Sequence, residues 1–293
     1  MKTNIYGVVV LYKTYYKESI SILTLANSLK NANIDSFDLL IYDNSPSYNS
    51  SQTINTWNGI NIEYIADYNN SGVSRAYNIA FEYAKKKQKE YLLLLDQDTK
   101  INSNFFSCLN QNLGRYDLYF PYLESNNTII SPCKFILGRG IPLNKRELQP
   151  GTNLLHRRNF LNSCAIISIS LFEKVHGFDE NIPLYYSDFN FFNRVKKNGI
   201  KHYYQLNISC THEMASSDDS DISNFLPRFI NYIQGAMKCY NSLGGKTMMA
   251  INIILRATKL GIRHRTLLFL KLSFNELLNL LFIKYNTSVN FYR

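Results

Sequence analysis

The run Tyr91-Leu-Leu-Leu-Leu-Asp96-Gln97-Asp98-Thr99 leaves this chain few folds to choose from. An unbroken apolar run with no polar alternation reads as a strand buried on both faces. Such a strand needs helices above and below it, which implies an α/β architecture with a mostly parallel sheet. Two carboxylates, one residue apart, emerge where the strand ends. That edge is the usual ligand crevice of open α/β sheets. Asp-x-Asp offers hard, charged oxygens suited to Mg²⁺ or Mn²⁺ bridging two phosphates. The same residues could instead cap a helix expected over Asn102–Leu113, because Asp is common in N-caps and turns. The flanking chain has to separate these readings.

Upstream, Ile5–Leu11 is a β-branched run and a first buried strand. Ser19–Lys30 carries Ile20, Leu23, Leu25 and Leu29 on a helical period. Phe37–Tyr42 is a second strand, ending in the turn Asp43-Asn44-Ser45-Pro46. Ile60–Ile65 is a third, closed by Asp67 through Gly72. Val73, Tyr77, Ala80, Phe81 and Ala84 then form a helical stripe, and Lys85–Lys87 suit its C-terminal dipole. With Leu92–Leu95 following, this is a half-sheet of nucleotide-binding character. No Gly-x-Gly-x-x-Gly follows the first strand and no complete P-loop motif occurs, so dinucleotide and P-loop chemistry are not expected.

Beyond Asp98 the pattern loosens. Asp117–Leu123 and Thr128–Cys133 read as strands. Gly138–Arg158 has no clear period and reads as a lid or binding loop. Asn159–Ile169 reads as a strand, Leu171–Val175 as a short helix, Ser187–Asn198 as a helix closed by Gly199, and Ile200–Ile208 as a strand leading to His212 and Glu213. The five cysteines are scattered without a Cys-x-x-Cys pair, which argues against a disulfide framework or a zinc site. Lys2 runs straight into a strand, so no signal peptide and a cytoplasmic location are expected.

These pieces, in this order, resemble the family 2 inverting glycosyltransferases of the GT-A fold, and within them the bacterial rhamnosyltransferase-like branch. The resemblance covers roughly residues 5–213. It rests on Leu40 through Ser45, Asn70 through Asn78, Leu94 through Asp98, Leu161 through Glu180, and Asp188 through Arg194 to Gly199. The Asp-Gln-Asp form points to the rhamnosyl branch. The resemblance implies a nucleotide-sugar donor, a glycan or lipid-linked acceptor and a divalent cation, Mn²⁺ or Mg²⁺. On it, Leu11, Tyr12, Asp43, Asn70, Gly72, Arg75 and Asp96 would line the donor site, with Asp43 accepting the pyrimidine N–H. Asp98 and His212, with Asp96, would hold the metal. Asp188 would be the general base, since an acceptor hydroxyl must lose its proton as it attacks the anomeric carbon.

Each role has a plainer reading. Asp43 and Gly72 could be turn residues, Arg75 a solvated helix residue, His212 structural, and Asp188 a complement to a helix dipole. The chain also departs from the family pattern. Asn190 stands where a second acid is usual, Tyr185 where a further Asp is common, and Cys164 where a Gly commonly follows the Ser. Asp188 is thereby the only carboxylate of its segment, and an inactive member stays open.

The net charge of +10 is concentrated at the end of the chain. Residues 225–293 hold ten Lys/Arg against Glu276 alone, a net +9, which leaves +1 for residues 1–224. This sets a catalytic unit, 1–224, apart from a basic extension, 225–293. Thr247–Tyr285 reads as amphipathic and too interrupted by polar residues to span a bilayer. A peripheral helix on an anionic membrane, a subdomain packed on the core and a homodimer interface all fit it. Nucleic-acid binding is not expected, for want of any recognised module. Three functions follow: a transferase with L-rhamnose from dTDP-rhamnose as its sugar, a UDP-sugar transferase of the same fold (galactose, galactofuranose or glucose), and a non-catalytic glycan-binding or scaffold subunit. An aspartate phosphatase, with Asp218-Asp219 downstream, is disfavoured because its motif would follow the first strand and Lys100 stands where Thr or Val belongs.

Overall fold

The structure, a computed structural model, describes residues 2–46, 55–212, 222–240 and 242–289. Its first half runs β1 (Lys2–Leu11), α1 (Ile20–Asn31), β2 (Ser36–Asp43), β3 (Thr56–Trp57), β4 (Ile60–Ala66), α2 (Val73–Lys86) and β5 (Tyr91–Asp96). Then come β6 (Thr99–Lys100), α3 (Phe105–Asn110), β7 (Leu118–Ser125), β8 (Thr128–Ser131), β9 (Cys133–Ile136), β10 (Arg139–Pro142) and β11 (Gly151–Leu154). The sheet is completed by β12 (Ala165–Ser168) and β13 (His202–His212), with α4 (Ile169–Lys174) and α5 (Ser187–Lys197) between them. Three helices follow: α6 (Ile222–Cys239), α7 (Leu243–Arg263) and α8 (Leu268–Val289).

The large sheet has the order β11-β13-β7-β12-β5-β1-β2-β4-β3. β1 lies parallel to both β2 and β5, and β2 parallel to β4. β12 enters antiparallel between β5 and β7. The chain thus builds outward from β1 to β4 and returns on β1's other side at β5. That reversal is a topological switch point, and the carboxyl ends of β1 and β5 beside it are the place where such sheets take ligands.

β5 is the double-sided strand that its sequence demands. Leu92 and Leu94 enter one core with Tyr77, Ala80 and Phe172; Leu93 and Leu95 enter the other with Leu25, Leu29 and Phe105. All four leucines are fully buried. Each contributes about 1.5–3 kcal/mol of hydrophobic stabilisation, and a Leu93→Ala cavity would cost about 2–5 kcal/mol.

Several boundaries differ from the sequence reading. The helix expected over Asn102–Leu113 is only α3, and its N-cap is Asn104. Asp96 and Asp98 therefore do not cap it. The expected loop 138–158 contains the second strand of the β9–β10 hairpin and the edge strand β11. The strand expected over Asn159–Ile169 shrinks to β12, because Cys164 sits at φ +58° just before it. β13 continues past Ile208 to His212, since it still pairs with β7 and β6 there. Glu213, Asp218 and Asp219 lie outside the described residues. α6 starts at Ile222, so the 224/225 division falls just inside a helix. Gly245-Lys246-Thr247 opens α7 after another helix, with Tyr240 where a P-loop needs its first Gly.

The tail is not one amphipathic helix. α7 and α8 are separated by a turn at 264–267 with Arg265 at φ +50°. Their inner residues Met249, Ile253, Ala257, Leu260 and Phe269 pack with Phe229 and Ile233 of α6. Phe135 of β9 and Tyr185, Tyr186 and Phe189 around the start of α5 pack against this cluster. Among the described residues no helix is long and apolar enough to cross a membrane.

Candidate active site at the sheet switch point

The strand registers bring the first candidates into one row. Val10 pairs with Asp96 and Leu11 with Asp43, so the ends of β5, β1 and β2 lie side by side. The Asp96–Thr99 turn is gripped by the start of α1. Ser19 Oγ donates to the Gln97 carbonyl (2.8 Å), and the Ser21 amide does the same (3.3 Å). Ser21 Oγ donates to the Thr99 carbonyl (2.8 Å) and accepts from the Thr99 amide (2.9 Å). Gln97 Oε1 accepts the Tyr12 amide (2.7 Å), tying the exit of β1 to the same turn. Ser19, Ser21 and Gln97 were unassigned in the sequence because backbone tethering leaves no spacing signature.

On the β2 side, Asp43 is 3% exposed. Its Oδ2 accepts from Tyr64 Oη (2.5 Å) and its Oδ1 from the Ser45 amide (3.1 Å). A second lone pair remains on each oxygen, so an incoming N–H would join existing partners. The Asp67–Gly72 loop is shaped by Asp67. Its carboxylate accepts the Ser71 amide and Tyr42 Oη (both 2.8 Å) and the Asn69 amide (3.1 Å). Burial works against ionising Asp67, but the Ser71 and Tyr42 hydrogen bonds win and hold its pKa below the usual value. Asn70 adopts φ +51° in that loop.

Gly72 proves to be a contact glycine. It sits at φ +95°, and an added Cβ would lie 2.3 Å from the Pro183 carbonyl oxygen. That approach lets the Val73 amide and Ser74 Oγ donate to Pro183 (2.7 Å) and Ile182 (2.6 Å) carbonyls, docking the segment before α5 onto α2. Arg75 is exposed and pairs loosely with Glu180 (3.9 Å), while its charge also reaches the Tyr42 hydroxyl.

The candidate metal residues divide into two places. Asp98 Oδ1 is 3.5 Å from His212 Nδ1, at the paired ends of β6 and β13. Buried Thr99 bridges Ser163 Oγ (2.5 Å) and His212 Nδ1 (2.8 Å) through its hydroxyl. A hydroxyl on one ring nitrogen is the support that a ligating imidazole needs to present the other. Among the described residues no three ligating side chains already converge. Asp98 and His212 form a carboxylate and imidazole pair of the kind that suits Mn²⁺, while Asp96, two residues earlier in the chain, meets Tyr77 instead. The residues present therefore fit a divalent cation.

Asp188 faces this turn from α5. It is the second residue of the helix, whose N-cap is Tyr186 in the left-handed conformation without a side-chain cap. Asp188 Oδ1 accepts the Phe189 amide at 2.7 Å. Burial is the largest influence on the carboxyl and pushes its pKa up to about 7; the Phe189 amide opposes this, and the negative charge of Asp96 adds to it. Tyr77 of α2 feels the charge of both acids. Its hydroxyl donates to Asp96 Oδ1 (3.4 Å), and both carboxylates, after burial, keep it protonated. The sequence assigned Tyr77 only to a hydrophobic stripe, since nothing in a helical period shows where a hydroxyl ends.

Of the three departures from the family pattern, the structure gives a reason for Asn190. Asn190 Oδ1 accepts from Arg194 Nε (3.0 Å), while Arg194 Nη1 reaches the Val175 carbonyl (2.5 Å). An amide meets that need as well as an acid would. Cys164, at φ +58°, occupies a conformation that favours glycine. Tyr185 packs its carbonyl against α6, where a Cβ on Gly235 would come within 2.1 Å of it.

Residues 14–127 match the model of glycosyl transferase family 2. The chain is 26% identical over 181 residues to the low-salt glycan biosynthesis hexosyltransferase Agl10 of Haloferax volcanii, covering 56% of this chain and 54% of that protein. It is 23% identical over 191 residues to the dTDP-rhamnosyl transferase RfbF of Shigella flexneri, covering 64% and 62% respectively. The matches thus span under two thirds of each relative's length. In structure it is similar to GalNAc-T7, solved with UDP, GalNAc and Mn²⁺ (TM-score 0.56, 13% identity, 80% of this chain and 47% of that one). It is also similar to S. aureus TarS (TM-score 0.51, 15% identity, 91% and 50%). At such identities these two neighbours speak for the GT-A fold alone. With the GT-A fold and carboxylates at the sheet's switch point, residues 14–127 are similar to glycosyl transferase family 2.

Proposed function

We propose that the chain is a metal-dependent, inverting glycosyltransferase that moves a sugar from a nucleotide-sugar donor to a hydroxyl of a bacterial surface polysaccharide or lipid-linked glycan. The observation that carries this reading is the opposition of Asp188 to Asp96, with the Tyr77 hydroxyl on Asp96. A desolvated carboxyl titrating near 7 suits a general base working near neutrality. L-rhamnose from dTDP-rhamnose is the preferred donor, supported by Asp96-Gln97-Asp98 and by the similarity to RfbF.

In this reading Asp43, Asn70, Gly72 and Arg75, with Leu11 and Tyr12 at the end of β1, receive the nucleotide. Asp98 and His212, with Asp96, would hold Mn²⁺ or Mg²⁺, which supplies positive charge to the departing diphosphate. Asp188 takes the proton of the acceptor hydroxyl as its oxygen bonds to the anomeric carbon. The bond from that carbon to the diphosphate oxygen breaks, and the configuration inverts. Tyr77 holds Asp96 in place. Transfer assays with a panel of nucleotide sugars and Mn²⁺ test the reading. Asp188→Asn should bind donor normally yet lose turnover by about two to four orders of magnitude. Donor binding without any transfer or donor hydrolysis in the wild type would instead mark a non-catalytic subunit.

A further inference from the structure

The extension's inner face is consumed by the core, but its outer face is apolar too. On α7, Thr247, Ile251, Leu255, Thr258 and Ile262 follow one another at three- and four-residue steps and are all exposed. Ile251, Leu255 and Ile262 are 56%, 55% and 76% exposed, against a fully buried inner stripe of Met249, Ile253 and Ala257. From the turn into α8, Leu267, Lys271, Phe274 and Leu278 repeat the pattern, with Leu267 at 67% and Phe274 at 57% exposed. The two stripes meet: Ile262 and Leu267 line one open groove at the α7–α8 corner, with Gly261, Leu270 and Arg265. Eight of the chain's seventeen exposed large apolar residues among those described lie between Leu243 and Leu278. A soluble surface scatters such residues singly; this concentration marks an interaction site.

The charges around the patch select its occupant. Lys259, Arg265 and Lys271 are exposed beside the stripes. The only acid of residues 225–293, Glu276, accepts from Gln234 of α6. A second copy of the chain meeting this face about a two-fold axis would set these cations against themselves. An acidic surface with an apolar layer beneath it satisfies both features. We propose that the outer face of the α7–α8 pair is a docking surface for an anionic lipid leaflet. Ile251, Leu255, Ile262, Leu267, Phe274 and Leu278 enter the acyl boundary, and Lys259, Arg265 and Lys271 reach the headgroup phosphates. Neither helix spans; the pair lies along the interface. The opposite face of the same pair seats the β9–β10 hairpin, where Arg139 Nε donates to Asn252 Oδ1 (3.0 Å). The inference is independent of the sugar-transfer reading, because it uses no residue of the candidate active site.

The test is co-sedimentation of the full chain with vesicles of phosphatidylcholine alone and of phosphatidylcholine with phosphatidylglycerol. Binding should require the anionic lipid and weaken as salt rises from about 50 to about 500 mM. Lys259→Gln with Lys271→Gln should lower the partition coefficient about 25-fold, at about fivefold per cation. Leu255→Glu with Ile262→Glu should abolish binding. Both pairs are exposed, so unchanged thermal unfolding will show that the fold is intact. Phe274→Trp gives a second readout, an emission blue shift on vesicles that Trp57, on β3 at the far edge of the sheet, cannot supply. Equal, weak binding to both vesicle types overturns the proposal. So does a stable dimer in sedimentation equilibrium that Leu255→Glu with Ile262→Glu dissociates.

Discussion

Asp188→Asn separates a catalytic carboxylate from a structural one through stability as well as rate. In the folded protein the Asp188 carboxyl titrates near 7 rather than at 3.8, chiefly because it is desolvated. The folded state therefore holds its proton more tightly than the unfolded chain does. Stability from this group is full below the unfolded pKa and is lost as pH rises through the folded one. A shift of that size corresponds to about 4 kcal/mol if none of it were relaxed. Asp188 keeps part of its surface exposed, so screening should leave about 1–3 kcal/mol. Asn has nearly the same shape and carries no charge. In metal-free buffer the variant should match the wild type near pH 3, rise increasingly above it between the two pKa values, and exceed it by that margin near pH 8. Denaturant titrations across this range, beside single-turnover transfer assays, give both halves. A variant more stable at alkaline pH but slower by two to four orders of magnitude fits a desolvated base. A stability gap that does not widen with pH would refute the electrostatic reasoning, and near-wild-type transfer would end the general-base role.

Other perturbations follow from the same geometry. Asp98→Ala, at a side chain 41% exposed, should leave stability within about 0.5 kcal/mol while abolishing Mn²⁺-dependent binding of nucleoside diphosphate in calorimetry. Thr99→Val removes the hydroxyl that supports His212. Metal affinity should fall about 10- to 100-fold, and stability by about 1–3 kcal/mol through the buried Ser163 partner. Gly72→Ala places a Cβ against Pro183 in a left-handed conformation, and should cost at least about 2 kcal/mol by thermal unfolding while displacing the entry to α5.

How much of this could be read in advance differs by element. Tyr91–Asp96 was legible because burial on both faces permits no other residue pattern, and the helix from Ser187 because its apolar period and Gly199 stop agree. β10 was not, since every residue of Arg139–Pro142 is exposed and no apolar alternation remains to be seen. β11 alternates only weakly, between partly buried and exposed residues at the sheet's edge. The site followed the same rule. Carboxylates at strand ends announce themselves, whereas Tyr77, Ser19, Ser21 and Thr99 act through contacts between distant segments, which no local spacing records.

We propose that the carboxyl ends of β1, β2 and β5 bind a nucleotide sugar through a divalent cation. Thermal unfolding with dTDP-rhamnose and UDP-sugars, each with and without Mn²⁺, tests it most directly. A ligand at about a hundred times its Kd stabilises the native state by about 2.7 kcal/mol, which for a chain of this size raises Tm by about 4–5 °C. The account predicts such a rise with at least one nucleotide sugar, dependent on Mn²⁺ and absent in Asp98→Ala. An unchanged Tm across the whole panel, or an equal rise in Asp98→Ala, would contradict it.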